Sequence, residues 1–297
     1  MPASEIRLVL DVPMQLGECP IWSAAEGVLY WIDIGGMAVH RFAPDGATHR
    51  AWSLPSEPGC IALCREGGLL VAMRSGFALL DPASGALTIL ADAPYDVTKM
   101  RFNDGRCDAA GRLWVGTLYE PRDKASGPLY CVERGVVRDS GLRSIVSNGV
   151  AFSTDGRTLY HAETSAHNIS AYDFDLDSGT VSNGRIFHQF SMDRSGGKYG
   201  GRPDGAAVDS ENAYWCAMYE GGRLLRFSST GELLLEIALP VQCPTMIAFG
   251  GADLCTLYVT SARRNRSAEE LERLPHSGCL LSLRVDVPGL PEPLYIR

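Results

Sequence analysis

Three features of the 297-residue sequence predict an all-β fold, a six-bladed β-propeller. One short pattern recurs six times: a polar turn, a small-apolar strand, a Gly-containing turn, and a strand carrying a Leu-aromatic or similar pair. The copies repeat at roughly 40 to 55 residues, the range of four-stranded propeller blades. Period-two alternation punctuated by Gly, Asp and Ser runs between the copies, as in antiparallel hairpins, and helical periodicity is scarce.

In chain order, "EIRLVLDV" reads as a strand without a blade of its own. The first copy, "ECPIWSAAEGVLYWIDI", is followed by the alternating "AVHRFAPDG"; the second, "GCIALCREGGLLVAM", by "FALLDPASG"; the third, "NDGRCDAAGRLWVGT", by "PLYCVERG". The fourth, "NGVAFSTDGRTLYHAE", precedes "ISAYDFDLDSG", and the fifth, "DGAAVDSENAYWCAM", precedes "RLLRFSSTG". The sixth is "TMIAFGGADLCTLYVTS". A ring with a free edge strand invites aggregation, so the early strand is expected to close it by pairing with "GCLLSLRVDV" or "EPLYIR" near the C-terminus. No linker divides the chain, which reads as a single domain over residues 1–297, with "SMDRSGGKYGGR" as a flexible loop at the rim of the site.

A formal charge of −8 argues against nucleic acid or anionic membrane as a partner, since both select basic patches. No apolar run is long enough to span a bilayer, and the N-terminus lacks the pattern of a secretory leader. Nine scattered cysteines, an odd number without a Cys-x-x-Cys pair, read as reduced and mostly buried thiols of a cytoplasmic protein. Oligomeric state is not legible. The chain has no Gly-x-Ser-x-Gly elbow and no His-Glu-x-x-His pair, and His161, within a strand, reads as a packing residue.

When the copies are superposed on their Leu-aromatic pairs, Glu18, Asn103, Asn148 and Asp204 fall at one equivalent position, where the second and sixth copies carry only Pro58-Gly59 and Thr245-Met246. Singly, "NDG", "SNG" and "PDG" are ordinary turn sequences. At equivalent positions of innermost strands they face one another across the channel. Two carboxylates and two amide oxygens aimed at one point repel unless a divalent cation lies between them; Ca²⁺, Mg²⁺, Mn²⁺, Zn²⁺ and Fe²⁺ all accept such oxygens.

"LGECPIW", "RFNDGRCDAAGRLWVGT", "SNGVAFSTDGRTLYHAET", "RPDGAAVDSENAYWCAMYEGGRLLRF" and "TLYVTSAR" together resemble, in order and over nearly the whole chain, the gluconolactonase/regucalcin (senescence marker protein-like) family of sugar lactonases. The resemblance implies one divalent metal at the channel mouth and hydrolysis of an aldonolactone to its aldonic acid. It places metal ligands on Glu18, Asn148 and Asp204, Asn103 near the metal or substrate, Arg101 on substrate oxygens, and a hydroxyl-binding acid at Glu120. The sequence departs from the family pattern at Cys19, where Gly or Ser is commoner, and at Arg202, where an aromatic or aliphatic residue is more usual.

The chemistry expected is attack of water on a metal-polarised lactone with Asp204 as general base. Arg101, two residues from Asn103, shares its face in an extended segment; Arg202 is either a binder of a polar or anionic substituent or a solvated loop cation. Tyr119, Tyr199 and Tyr219 are candidates to line the mouth. Competing readings are a non-enzymatic calcium-binding propeller and a lactonase or esterase for nonsugar substrates.

Overall fold

The computed structural model describes residues 5–195 and 199–297. Six four-stranded antiparallel sheets are arranged as blades, five of them running from an innermost to an outermost strand in sequence order and the sixth taking its outermost strand from the N-terminus. The innermost strands, Gly17–Ser23, Pro58–Leu63, Met100–Cys107, Ser147–Phe152, Arg202–Val208 and Pro244–Gly250, pack side by side in a ring, and the first lies against the last. Burial follows position: the inner two strands of a blade are buried on both faces and read as nearly continuous apolar runs, whereas outer strands such as Leu233–Ala238 are mostly exposed. Among the described residues, no helix is long and apolar enough to cross a membrane.

The closing strand behaves as expected. Arg7–Leu10 pairs antiparallel with Leu280–Arg284 as the outer edge of the sixth blade, with Leu8 opposite Leu281 and Leu10 opposite Leu280. Of the two partners expected for it, "GCLLSLRVDV" is thus the one used. "EPLYIR" does something else. The C-terminal tail runs across the far end of the ring: Gly289 bridges Asp209, Glu292 forms an ion pair with half-buried Arg106 at 2.7 Å, and Tyr295 hydrogen-bonds the backbone of Leu63 and Arg65. The buried Tyr295 hydroxyl accepts from Gly135 N at 2.8 Å.

Every innermost strand is interrupted at the same place. The register with its neighbour slips between Glu18 and Ile21, Pro58 and Cys60, Phe102 and Gly105, Asn148 and Ala151, Pro203 and Ala206, and Pro244 and Met246. These are β-bulges, which bend a strand and re-aim a side chain. The "NDG", "SNG" and "PDG" sequences are therefore strand bulges and not the turns their composition suggests. Gly205 fits this role because a Cβ there would overlap the Met246 side chain and stand 2.9 Å from the Thr245 carbonyl of the next blade.

All nine cysteines are free thiols, eight of them buried. The rim loop expected over "SMDRSGGKYGGR" includes residues 196–198, which lie outside the described residues.

Candidate metal and substrate site at the channel mouth

The bulges bring the repeat-equivalent side chains to one cavity of about 340 Å³, whose lining includes Glu18, Arg101, Asn103, Asn148, Arg202 and Asp204, with Glu120 at its edge. Glu18, Asn103, Asn148 and Asp204 are all buried, and so is Arg101. All seven residues singled out in the sequence thus share one pocket, though they are not equally free.

A hydrogen-bond chain crosses three blades and fixes the amides. Arg101 Nη1 donates to Asn103 Oδ1 at 2.6 Å; Asn103 Nδ2 donates to Asn148 Oδ1 and to the Ser147 carbonyl, both at 2.8 Å. Asn148 Nδ2 donates to Thr164 Oγ1, which donates to the Pro203 carbonyl, again at 2.8 Å each. Asn148 is thereby held with its carbonyl oxygen toward Asn103, one lone pair still available. Asn103 is the connector that aligns Arg101 and Asn148. Thr164, essential to the chain, carries no sequence signal, because its role depends on the neighbouring blade.

The carboxylates are poised differently. Burial pushes the Glu18 carboxyl well above its ordinary range, and the charges of Asp204 and Asp104 push it further. Burial likewise raises Asp204, with Asp104 adding to the rise and Arg202 and Arg101 opposing it. Asp204 Oδ1 is fully buried without a hydrogen-bond partner among the described residues. Leaving such a group unpaired costs several kcal/mol, roughly, unless something binds it. Asp104, missed in the sequence because it reads as part of a turn, accepts from Val150 N at 3.0 Å and is raised to about 6 by burial.

A divalent cation fits this donor set. Glu18, Asn148 and Asp204 offer hard oxygens, the two acids balance its charge, and the unpartnered Asp204 oxygen lacks only such a counterpart.

The rim is richer in arginine than the sequence reading recognised. Glu120 is not free: Arg74 clamps it at 2.6 and 3.2 Å and also binds Glu57 at 2.5 Å. Arg202 opens an inner strand, so it is no solvated loop cation. Its guanidinium lies over the Tyr219 ring, 5.1 Å from the centroid, and 3.6 Å from Glu220. Arg122 and Arg264 reach the same cavity from exposed positions, and neither they nor Arg101 has an ion-pair partner among the described residues. Of the three tyrosines, Tyr219 lines the cavity, Tyr119 is buried in its strand, and Tyr199 is engaged with His167 Nε2 at 2.7 Å and with Arg194. His161 is packed as expected, hydrogen-bonded to Ser147 at 2.7 Å.

Comparison with known proteins agrees with this architecture. The chain is 46% identical over 293 residues to the 6-deoxy-6-sulfogluconolactonase of Pseudomonas putida, covering 98% of each chain. It is 32% identical to regucalcin of Xenopus laevis, covering 94% of this chain and 93% of that one. The crystal structure of a calcium-binding protein, regucalcin, from Agrobacterium tumefaciens superposes with a TM-score of 0.90 at 29% identity, covering 98% and 97% of the two chains. Residues 16–263 match the SMP-30/Gluconolactonase/LRE-like region, and the chain belongs to that family of sugar lactonases and regucalcins.

Proposed function

We propose that this protein is a divalent-metal-dependent hydrolase that opens an aldonolactone to its aldonic acid, and that its substrate carries an anionic substituent. The observation that carries the reading is the buried, unpartnered Asp204 oxygen, in one cavity with Glu18 and Asn148 and beneath a rim of arginines. Those three residues would hold the ion. When bound, it supplies Lewis acidity for the carbonyl and acidifies water.

The remaining work falls to side chains. Water adds to the lactone carbonyl carbon while Asp204 takes its proton; the ring C–O bond then breaks, and the same proton passes to the departing ring oxygen. Arg101, fixed by Asn103 and the Phe102 carbonyl (2.9 Å), places a permanent positive charge beside the developing oxyanion. The Arg74 clamp holds the Glu120 carboxylate at the edge of the cavity as an acceptor for sugar hydroxyls. Arg202, Arg122 and Arg264 supply the charge to receive an anionic group, in keeping with the relative whose name specifies a sulfonated gluconolactone.

The test is acid release from neutral and sulfonated aldonolactones, corrected for spontaneous opening, with and without chelator. We expect chelator-sensitive turnover, and a loss of about 10²-fold or more in Asp204→Asn. Normal turnover in the chelated enzyme would remove the ion from the mechanism, and normal turnover in Asp204→Asn would remove the base. No turnover on any lactone, with tight binding of Ca²⁺ retained, would favour the calcium-binding reading.

A further inference from the structure

We propose a second metal site, distinct from the channel mouth: Asp11, His276 and Cys279 form a clasp for a zinc-like divalent ion across the strand pair that closes the ring. One ligand atom from each of the three lies within 4.8 Å of the other two.

Three independent features place these donors together. The first is register. Leu10 pairs with Leu280 at the end of the closing ladder, so the next position on each strand sets Asp11 opposite Cys279, although the two are at opposite ends of the chain. The second is the turn. Cys279 N donates to the His276 carbonyl at 2.9 Å, which folds the His-x-x-Cys segment so that both side chains serve one point.

That turn is locked from behind. Met14 N donates to the Gly278 carbonyl at 2.8 Å, Gly278 N donates to Ser261 Oγ at 2.9 Å, and Ser261 Oγ donates to the Cys279 carbonyl at 3.0 Å. Gly278 has φ +89°, and a side chain there would collide with the Met14 carbonyl.

The third is distance. Zn–S and Zn–O bonds of about 2.3 and 2.0 Å meeting at the tetrahedral angle put sulfur and oxygen roughly 3.5 Å apart. Cys279 Sγ stands 3.7 Å from Asp11 Oδ1. The metal-free geometry already has the required edge, with the thiol proton occupying the place of the ion; binding releases that proton to solvent and leaves the thiolate as ligand. Cys279 is buried, His276 half-buried and Asp11 exposed, so the site has a sealed back and an open front where water completes the shell.

The donor chemistry separates the two sites. Thiolate, imidazole and carboxylate together select a borderline ion such as Zn²⁺ over Ca²⁺ or Mg²⁺, whereas the channel site offers oxygen alone. An ion held here would join the first strand to the last blade, reinforcing the ladder that keeps the ring closed.

The test uses the full-length protein, stripped of metal and titrated with Co²⁺ as a spectroscopic substitute for Zn²⁺. We expect a thiolate-to-cobalt charge-transfer band in the wild type that is lost in Cys279→Ser and His276→Ala, and that persists in Asp204→Asn, where it saturates at one equivalent. In the Asp204→Asn background, Zn²⁺ should raise Tm, and the added His276→Ala should abolish the rise. A folded wild type without the band, or a band that survives Cys279→Ser or His276→Ala, overturns the proposal. Lactone turnover in His276→Ala should match the wild type, so failure of the clasp and failure of the lactonase reading are separately visible.

Discussion

Arg202 and His161 show how burial turns single residues into measurable quantities. Arg202 is held over Tyr219 at the mouth, and its Nε is buried without a partner among the described residues. Arg202→Ala should therefore raise KM for a sulfonated lactone about 10- to 100-fold while leaving that for a neutral lactone nearly unchanged, since one charge-assisted hydrogen bond is worth roughly 1.5–3 kcal/mol. Equal effects on both substrates would assign it to structure. His161 is fully enclosed, and burial lowers it to about 4 from an ordinary 6.5. Between those values the unfolded chain binds a proton that the folded one refuses, so stability rises with pH across the window and is lost as pH falls from 6.5 toward 4. The shift corresponds to about 3 kcal/mol. Chemical denaturation at a series of pH values should show this slope, and His161→Gln should flatten it. At this scale the sequence was informative about which acids and amides converge on one cavity, because repetition singled them out. It was silent on Thr164, Arg74 and Asp104, whose roles arise from contacts between blades.

The element that matters is the bulged inner strand. Its cavity-lining residue and, in Asn148-Gly149 and Asp204-Gly205, the glycine that follows were readable, but their geometry was not, because Asn-Gly and Asp-Gly serve turns and bulges with the same residues. Only the position in the ring decides: the segment is flanked by other inner strands, and the backbone must pass within contact of the next blade. Gly59 and Gly205 express that constraint, since a Cβ on the first would run into the Phe102 backbone and on the second into Met246. Gly205→Ala should destabilise the fold by about 1–3 kcal/mol through overpacking, with turnover falling further than stability because Asp204 shifts with the strand. Denaturant midpoints together with kcat test this, and an unchanged kcat in a destabilised variant would uncouple the bulge from the site. Cys19 occupies the corresponding place after Glu18 at φ +46°, a left-handed conformation that costs most residues energy; its buried sulfur accepts from Ile61 N at 3.3 Å.

At the scale of the whole molecule, blade count and the closing strand were legible because both follow from periodicity and from the need to cover an edge. The tail was not, since its partners Leu63, Arg106, Gly135 and Asp209 are remote in sequence and no pattern marks them. Tyr295→Phe should cost about 1 kcal/mol by removing the acceptor for Gly135 N, and Tyr295→Ala about 3–5 kcal/mol by emptying a buried site, both readable as Tm shifts. Little change in the alanine variant would mean that the tail is dispensable. The tail also bears on traffic. The inner strands all begin at the mouth, and the tail packs on residues at or near their other ends, so the candidate site opens on the face opposite the tail. Under the lactonase reading proposed above, lactone and acid would share that face, and added aldonic acid is expected to inhibit competitively, which initial rates at several acid concentrations would check.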